Sequence, residues 1–256
     1  MPLNWLEIKL SNNLTDSAYL VTGASSGIGE SVALKLNSLG FRVIAIARDT
    51  ERLQRLLQKV SYPELLHIEI KDLTQEVEAL PAFVTSLKEK YGKLQGLIYC
   101  AGMPDLSPLR IVNYAASKAL FDINYFAPLF LTKGILDKRN NTGNNVCVIA
   151  IASIEALLCD RGMSVYAASK SALIASMKCI AKEYFAQGIR VNTISPGYVN
   201  TPLLDKIRQQ KEINKSSSHV LEPHEIADAV EFILLKAPHM SGSDILIGGG
   251  SLYQVN

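Results

Sequence analysis

The sequence has little excess of charge of either sign, and it lacks a long apolar run near its N-terminus. The 26 lysines and arginines nearly balance 24 aspartates and glutamates, for a formal net charge of +2 in 256 residues. The two signs are mixed along the chain, which argues against a nucleic-acid or membrane-surface patch. Glu7, Lys9 and Asp16 interrupt the N-terminal segment, so it resembles neither a signal peptide nor a membrane span. We therefore expect a soluble, cytoplasmic protein.

Cysteines are also few, and they are scattered. Cys100, Cys147, Cys159 and Cys179 form no CxxC pair, and no histidine lies near them at metal-ligand spacing. Three of them lie in apolar runs, which predicts buried, reduced thiols and no metal centre.

What is present is an ordinary globular composition arranged in alternating segments. Short apolar runs alternate with longer segments of helical period, and several runs are apolar at every residue, as in strands covered on both faces. This alternation predicts an α/β fold with one doubly wound, seven-stranded parallel sheet flanked by helices over residues 17–256, after an N-terminal tether at 1–16. The polar segment 205–222 is predicted to be a mobile loop. The predicted strands are 18–23, 41–47, 64–70, 94–102, 145–153, 190–197 and 244–250, and the predicted helices are 27–39, 50–60, 75–90, 116–136, 166–187, 201–211 and 223–236.

A glycine-rich turn, TGASSGIG, follows the first predicted strand and opens the first predicted helix. Its three glycines would let the backbone approach a pyrophosphate, which would then sit on the N–H groups of the helix N-terminus. The position at the start of a βαβ unit makes this pattern typical of a dinucleotide site. The predicted cofactor loop comprises Gly23, Ser25, Ser26, Gly27, Ile28 and Gly29.

The second predicted strand ends in a cation where dinucleotide sites usually carry an acid. It reads FRVIAIARD, which puts Ala47 at the expected position and Arg48 after it. The missing acid and the present cation favour a 2′-phosphate and hence NADP, and Ser25 could add a hydroxyl to that phosphate. Asp49 keeps NAD open as the alternative. Asp72, just after the third strand, could bind the adenine amino group or could equally be a turn residue.

The pentapeptide YAASK occurs twice, at 114–118 and 166–170, and each copy has Tyr and Lys one helical turn apart. Ser153 ends a predicted strand thirteen residues before Tyr166, so a hydroxyl, a phenol and an ammonium should face one crevice. No hydroxyl residue ends a strand at the matching distance before Tyr114. The copy at 166–170 is therefore the candidate catalytic site.

Together with FDINYFAP, RVNTISPGYVNTP and the closing IGGG, these motifs resemble the classical short-chain dehydrogenase/reductase family from about residue 17 to residue 252. One departure is Tyr99-Cys100, where the family usually has two asparagines, the Asn there bracing the central sheet and the cofactor pocket. The resemblance implies a Rossmann-fold oxidoreductase with a catalytic tetrad of Asn124, Ser153, Tyr166 and Lys170. Further cofactor contacts are expected from Ala101, Gly102, Tyr166, Lys170, Pro196, Gly197 and Thr201.

The chemistry of these side chains suits carbonyl reduction, in which a hydride reaches carbon and a proton reaches oxygen. A free tyrosine has a pKa near ~10, and the Lys170 ammonium should lower that of Tyr166. Ser153 can donate to the substrate oxygen, and Lys170 is also expected to bind the nicotinamide ribose. Asn124 could hold a water that links Lys170 to solvent, or it could make a simple interhelical hydrogen bond.

The leading hypothesis is an NADPH-dependent reductase of a ketone or aldehyde. A 3-oxoacyl thioester reductase and a non-catalytic NADP-sensing regulator are the alternatives. Small residues along helix 166–187, together with the family resemblance, predict a homo-oligomer, a tetramer or a dimer. The substrate side is predicted to be apolar and to be lined by Ile154, Leu157, Met163, Tyr198, Leu203, Leu204 and Ile207.

Overall fold

The computed structural model describes residues 18–208 and 220–248. They form one seven-stranded sheet in which every pair of neighbouring strands is parallel, with helices on both faces. The predicted fold class is therefore confirmed. The strands are β1 (Ala18–Thr22), β2 (Arg42–Ala47), β3 (Leu66–Ile70), β4 (Leu94–Tyr99), β5 (Cys147–Ile151), β6 (Arg190–Pro196) and β7 (Asp244–Ile247).

The helices connect consecutive strands and alternate with them along the chain. Two five-residue π-helical turns continue α-helices, one at Asp122–Phe126 and one at Phe232–Lys236. The α-helices of the described residues are α1 (Gly27–Ser38), α2 (Thr50–Leu57), α3 (Leu80–Tyr91), α4 (Tyr114–Phe121), α5 (Ala127–Leu136), α6 (Glu155–Leu158), α7 (Ser164–Tyr184), α8 (Pro202–Arg208) and α9 (Pro223–Glu231).

The strand order β3-β2-β1-β4-β5-β6-β7 creates a switch point between β1 and β4. The chain builds outward from β1 to β3 and then returns to the other side of β1. Loops that leave β1 and β4 therefore diverge to opposite faces, and a crevice opens at the carboxyl edge of the sheet.

The core has two apolar layers, one on each face of the sheet. Leu20 and Leu97 belong to the layer that includes α3, α5 and α7. Val21 and Ile98, the next residues along the same strands, belong to the layer that includes α1, α2 and α9. Burial on both faces explains why the strand sequences are apolar at consecutive positions rather than at alternate ones.

The ends of the elements differ from the predicted ranges where the chain enters the site. Strands β4 and β5 end at Tyr99 and Ile151, so the residues that follow them form loops at the sheet edge. The helix predicted at 75–90 begins at Leu80, after a short 3-10 turn. Helix α6 was not predicted, because its four residues are too short to show a period.

The segment predicted to be a mobile loop, 205–222, is partly regular. Its first residues belong to α8, and Leu221 near its end pairs with Val199 in an isolated bridge. Residues 209–219 lie outside the described part, as does the predicted tether at 1–16.

The helix predicted at 116–136 is divided by the π-helical turn Asp122–Phe126. Pro128 lies at the start of α5 and has no N–H to donate, so a regular α-helical pattern cannot continue through it. The Ala127 N–H donates five residues back, to the Asp122 carbonyl, in place of the usual four. This widened turn contains Asn124.

The prediction that the cysteines are buried is wrong for two of the four. Cys147 is buried and Cys100 is half-buried, but Cys159 and Cys179 are exposed. Cys159 ends the short helix α6 in a left-handed conformation, and Cys179 lies on the outer face of α7. In the described part of the chain, no group of histidine, cysteine and acidic residues could hold a metal ion, and no helix combines the length and apolarity needed to cross a bilayer.

Candidate active site

A cleft of about 520 Å³ opens at the carboxyl edge of the sheet, over the switch point between β1 and β4. The glycine-rich turn after β1 forms one side of it, together with the ends of β2 and β3. The loops after β4, β5 and β6 and the start of α7 form the other side. A cleft of this shape can hold an elongated ligand across the strand ends.

The glycine-rich turn has the geometry of a cradle for a phosphate group. Gly23 and Gly27 adopt left-handed backbone conformations, with φ of 64° and 56°. A Cβ at Gly29 would lie 2.3 Å from the Gly23 carbonyl oxygen, so this position admits no side chain. The N-cap residue of α1, Ser26, makes no side-chain capping hydrogen bond, so the first N–H groups of the helix have no side-chain cap. These features fit the pyrophosphate of a dinucleotide.

The loop after β4 is tied to the end of β1 at the switch point. The Thr22 hydroxyl oxygen accepts hydrogen bonds from the Cys100 and Ala101 N–H groups, at 3.0 and 3.2 Å. A Cβ at Gly23 would lie 3.0 Å from the Ala101 Cα. The two loops therefore approach each other closely and place Ala101 and Gly102 in the wall of the cleft.

Ser153 is held in the cleft by pairing that continues past the end of β5. The Ile154 N–H donates to the Pro196 carbonyl at 3.1 Å, which keeps the loop alongside β6. The Glu155 N–H donates to the Ser153 hydroxyl oxygen at 3.2 Å, and Ser153 also hydrogen-bonds with Tyr166. The serine hydroxyl and the tyrosine phenol thus form a pair that faces the cleft.

Tyr166 and Lys170 are buried one turn apart near the start of α7, with 8% and 4% of their surfaces exposed. Burial raises the pKa of the Tyr166 phenol to about 12, although the hydrogen bond with Ser153 lowers it. The expected lowering of this pKa by Lys170 is therefore not what the structure shows. Lys170 Nζ lies 5.9 Å from the centre of the Tyr166 ring and donates instead to the Ile151 carbonyl at 2.9 Å. Burial lowers the pKa of Lys170 to about 8.

Asn124 is fully buried and joins the loop after β4 to α7. Its Oδ1 accepts from the Met103 N–H at 3.0 Å, and its Nδ2 donates to the Met103 carbonyl at 3.0 Å and to the Ser169 hydroxyl at 3.2 Å. A Cβ at Gly102 would lie 3.2 Å from Asn124 Oδ1 and 3.6 Å from Lys170 Nζ. The hydrogen bond to Ser169 is an interhelical one, which was one of the two roles predicted for Asn124. Asn124 also lies close to Lys170.

The second YAASK copy lies outside the cleft. Tyr114 is the first residue of α4 and is 82% exposed. Lys118 donates to the Asp122 carboxylate at 2.7 Å rather than to any group of the cleft. The structure therefore brings Ser153 together with Tyr166 and Lys170 of one copy, and among the described residues no comparable group surrounds the other copy.

Arg48 and Asp72 meet at the end of the cleft beside β2 and β3. Arg48 is 66% exposed, and its Nη1 lies 3.5 Å from Asp72 Oδ2. The Asp72 carboxylate accepts hydrogen bonds from the Thr74 N–H and hydroxyl, at 2.9 and 2.7 Å, as a turn residue does. Asp72 also lines the cleft, and its contact with the adenine amino group stays a prediction. Burial raises the pKa of Asp72, but the Thr74 hydrogen bonds and the charge of Arg48 outweigh burial and leave this pKa below its ordinary value.

The remaining predicted ligand contacts divide into those in the cleft and one outside it. Leu157 does not line the cleft, because it lies on the outer face of α6 and is 55% exposed. The predicted residues that do line the cleft are Pro196, Gly197 and Thr201 on the cofactor side, and Ile154, Met163, Tyr198, Leu203, Leu204 and Ile207 on the substrate side.

The loop after β4 also lines the substrate side of the cleft, which the sequence analysis did not predict. Met103, Pro104 and Leu106 line the cleft from the loop after β4. This loop is held against the segment before α7 by a hydrogen bond from the Ser107 N–H to the Gly162 carbonyl, at 2.7 Å. The loop has no periodicity or motif, so only its position after β4 could have indicated a role in the site.

Comparison with known protein families identifies one match that covers most of the chain. Residues 17–212 match the family model described as short chain dehydrogenase. The chain is 30% identical over 236 residues to an uncharacterised oxidoreductase of Staphylococcus saprophyticus, with 91% of this chain and 97% of the relative covered. It is 31% identical over 248 residues to a 3-oxoacyl-[acyl-carrier-protein] reductase of Rickettsia conorii, with 94% and 98% covered.

Solved structures give the same result and include two nicotinamide cofactors. A variant of actinorhodin polyketide ketoreductase with NADPH superposes with a TM-score of 0.83 at 25% identity, over 92% of this chain and 97% of that one. A 4-hydroxyisoleucine dehydrogenase complexed with NADH superposes with a TM-score of 0.79 at 28% identity, over 93% and 100%.

Proposed function

The chain belongs to the short-chain dehydrogenase family, and from that premise we propose that this oxidoreductase is an NADPH-dependent reductase of ketones or aldehydes. The observation that carries the proposal is the convergence of Ser153, Tyr166 and Lys170 in one cleft, beside the phosphate cradle. Buried ionisable side chains that meet in a cleft are typical of catalytic sites.

In this proposal the protein supplies the proton and the orientation, while the bound nicotinamide supplies the hydride. The Tyr166 hydroxyl donates the proton to the carbonyl oxygen, and its raised pKa keeps it protonated until the charge on that oxygen develops. The Ser153 hydroxyl hydrogen-bonds to the same oxygen and stabilises the developing charge. The Lys170 ammonium lies 5.9 Å from the centre of the Tyr166 ring, and Asn124 lies close to Lys170 beside Gly102.

The preference for NADPH follows from the charges at the far end of the cleft. Arg48 is exposed at the end of β2, where the 2′-phosphate of a dinucleotide in the glycine cradle would lie, and Ser25 lines the same region. Asp72 already contacts the Arg48 guanidinium on one side. Because this contact orders the arginine side chain, the side chain loses less conformational entropy when it binds the phosphate. The polyketide ketoreductase with NADPH supports this cofactor, whereas the dehydrogenase with NADH shows that the fold also accepts the other.

A second candidate substrate is a 3-oxoacyl thioester, which the similarity to the Rickettsia conorii reductase favours. The substrate side of the cleft is predominantly apolar, with Met163 and Leu204 buried and Leu106, from the loop after β4, packed against the cluster that contains Met163. Such a surface suits the hydrocarbon part of either substrate.

The proposed function is tested by following NADPH oxidation with a panel of apolar ketones, aldehydes and a 3-oxoacyl-coenzyme A. Turnover of simple ketones or aldehydes supports the main proposal, and turnover of the thioester alone favours the second candidate. If the protein binds NADPH but none of the carbonyl compounds in the panel causes its oxidation, the protein is better described as a non-catalytic NADP-sensing regulator.

We also propose a homo-oligomer, a tetramer or a dimer, formed through α7 and the helical segments packed beside it. Ala175 and Cys179 are exposed on α7, and Phe126 is exposed on the neighbouring π-helical turn. Small and apolar residues on adjacent helices allow close packing across a two-fold axis. Light scattering should give a mass that is a multiple of 28.0 kDa, and a monomeric mass at micromolar concentration would contradict the proposal.

The buried position of Lys170 predicts how the reaction depends on pH. Its lowered pKa of about 8 means that the ammonium is charged below that pH and neutral above it. Tyr166, with a pKa of about 12, remains a proton donor throughout. We therefore expect kcat/KM for carbonyl reduction, which reports the free enzyme, to fall as the pH rises through about 8. A value of kcat/KM that stays level or increases up to about pH 10 would show that the charge on Lys170 is not required.

A further inference from the structure

The π-helical turn Asp122–Phe126 leaves one buried carbonyl without its usual donors. In an α-helix the Ile123 carbonyl would accept from Ala127, and in a π-helix it would accept from residue 128. Ala127 donates to Asp122 instead, and Pro128 has no N–H. Within the described part of the helix, neither main-chain donor is available to Ile123.

The Tyr99 side chain supplies the missing donor from the end of β4. It is fully buried, and its hydroxyl donates to the Ile123 carbonyl at 2.6 Å. Burial raises the pKa of Tyr99 well above its ordinary value, so the hydroxyl keeps the proton that this hydrogen bond needs. A buried carbonyl that lost this partner would carry the full penalty of desolvation.

The loop after β4 also binds the next residue of the π-helical turn, Asn124. Asn124 follows Ile123, and its side-chain amide makes two hydrogen bonds to the main chain of Met103, in the loop that follows Tyr99. The end of β4 and its loop therefore hold two consecutive residues of the turn, one through a carbonyl and one through an amide. The shorter asparagine that the family usually has at position 99 would lack the reach of the tyrosine ring.

We infer that Tyr99 is a positioning residue, whose hydroxyl holds the π-helical turn in the geometry that places Asn124 beside Lys170. The part of this inference that concerns catalysis rests on the proposed reductase function. The part that concerns the turn does not, since it depends only on the contacts of Tyr99, Ile123 and Pro128.

The first test is Tyr99→Phe, which removes the hydroxyl and keeps the ring. We expect kcat for carbonyl reduction to fall by about 10- to 100-fold, the effect of a small misplacement in an active site, while KM for NADPH stays within about twofold. In an Asn124→Ala background the same substitution should lower kcat no further, because Tyr99 acts through Asn124.

Hydrogen exchange in a peptide that spans the π-helical turn should become faster in Tyr99→Phe, because the Ala127 N–H loses its fixed geometry.

Pro128→Ala offers a second test that isolates the cause. An alanine at this position restores a main-chain N–H, so Ile123 gains a donor in either helical pattern. Tyr99→Phe should lower the folding equilibrium constant by roughly 5- to 150-fold in the wild type, the range for an unsatisfied buried group, and by much less in the Pro128→Ala background. If Tyr99→Phe alone does not fold, the double variant should still do so.

Tyr91→Phe is the matched control, because it removes a tyrosine hydroxyl that donates to Glu69 of β3, the strand at one edge of the sheet. It should leave kcat and the exchange of the turn unchanged. Equal exchange and equal kcat in Tyr99→Phe and wild type would overturn the inference, as would equal stability losses in the two backgrounds at residue 128. A wild-type protein without turnover would overturn the proposed function instead, and the exchange and stability measurements would still decide the role of Tyr99.

Discussion

Tyr166→Phe should lower kcat for carbonyl reduction by about 100- to 10,000-fold, which is the contribution that a general acid makes to catalysis. The substitution removes the only hydroxyl of a side chain that is almost completely buried in the cleft and hydrogen-bonded to Ser153. The ring keeps its packing against Met163, so the fold and the cofactor site should be unaffected. Steady-state kinetics and NADPH titration of the purified variant measure the two effects separately.

Tyr114→Phe is the matched control for this prediction, because it changes the same residue type in the same pentapeptide. Tyr114 is exposed at the start of α4, so its hydroxyl contacts no group of the cleft, and kcat should stay within about twofold of wild type. The reverse result, with Tyr114→Phe inactive but folded and Tyr166→Phe active, would show that the site has been assigned to the wrong copy.

Arg48→Ala should lower kcat/KM for NADPH by about 10- to 150-fold, the equivalent of one charge-assisted hydrogen bond to the 2′-phosphate. The exposure of the arginine favours the lower part of that range, because solvent screens the interaction. NADH has no 2′-phosphate, so its kcat/KM should change much less. The measurement is kcat/KM for both cofactors in the variant and the wild type.

Two further variants sharpen the assignment of Arg48. Arg55→Ala removes an exposed arginine of α2 that does not line the cleft, and it should leave the cofactor preference unchanged. Ala47→Asp places an acid at the end of β2, where it would repel the phosphate and accept a hydrogen bond from a free 2′-hydroxyl, so it should shift the preference towards NADH. Equal losses with NADPH and NADH in Arg48→Ala would mean that the arginine supports the fold rather than the phosphate.

The parts of the protein that could be predicted are those governed by local rules. Strands buried on both faces must be apolar at successive positions, and helices must carry an apolar stripe, so seven strands and most of the helices could be located from the pattern of residues. The glycine turn has a local cause as well, since no side chain fits at Gly29 and two of its glycines adopt left-handed conformations. The choice between the two YAASK copies depended on a spacing of thirteen residues, and the burial of Tyr166 and exposure of Tyr114 agree with it.

The features that could not be predicted depend on contacts between residues far apart in the chain. Lys170 was expected to act on Tyr166, its neighbour on α7, but it donates to the carbonyl of Ile151, nineteen residues earlier. Leu157 was placed in the cleft, but the short helix α6 turns it outward. Tyr99 replaces an expected asparagine, and only the packing of β4 against the π-helical turn shows that its hydroxyl has a partner, twenty-four residues away. Local patterns identify which residues are buried, whereas the partners of buried polar groups are set by which loops the folded sheet brings to the same edge.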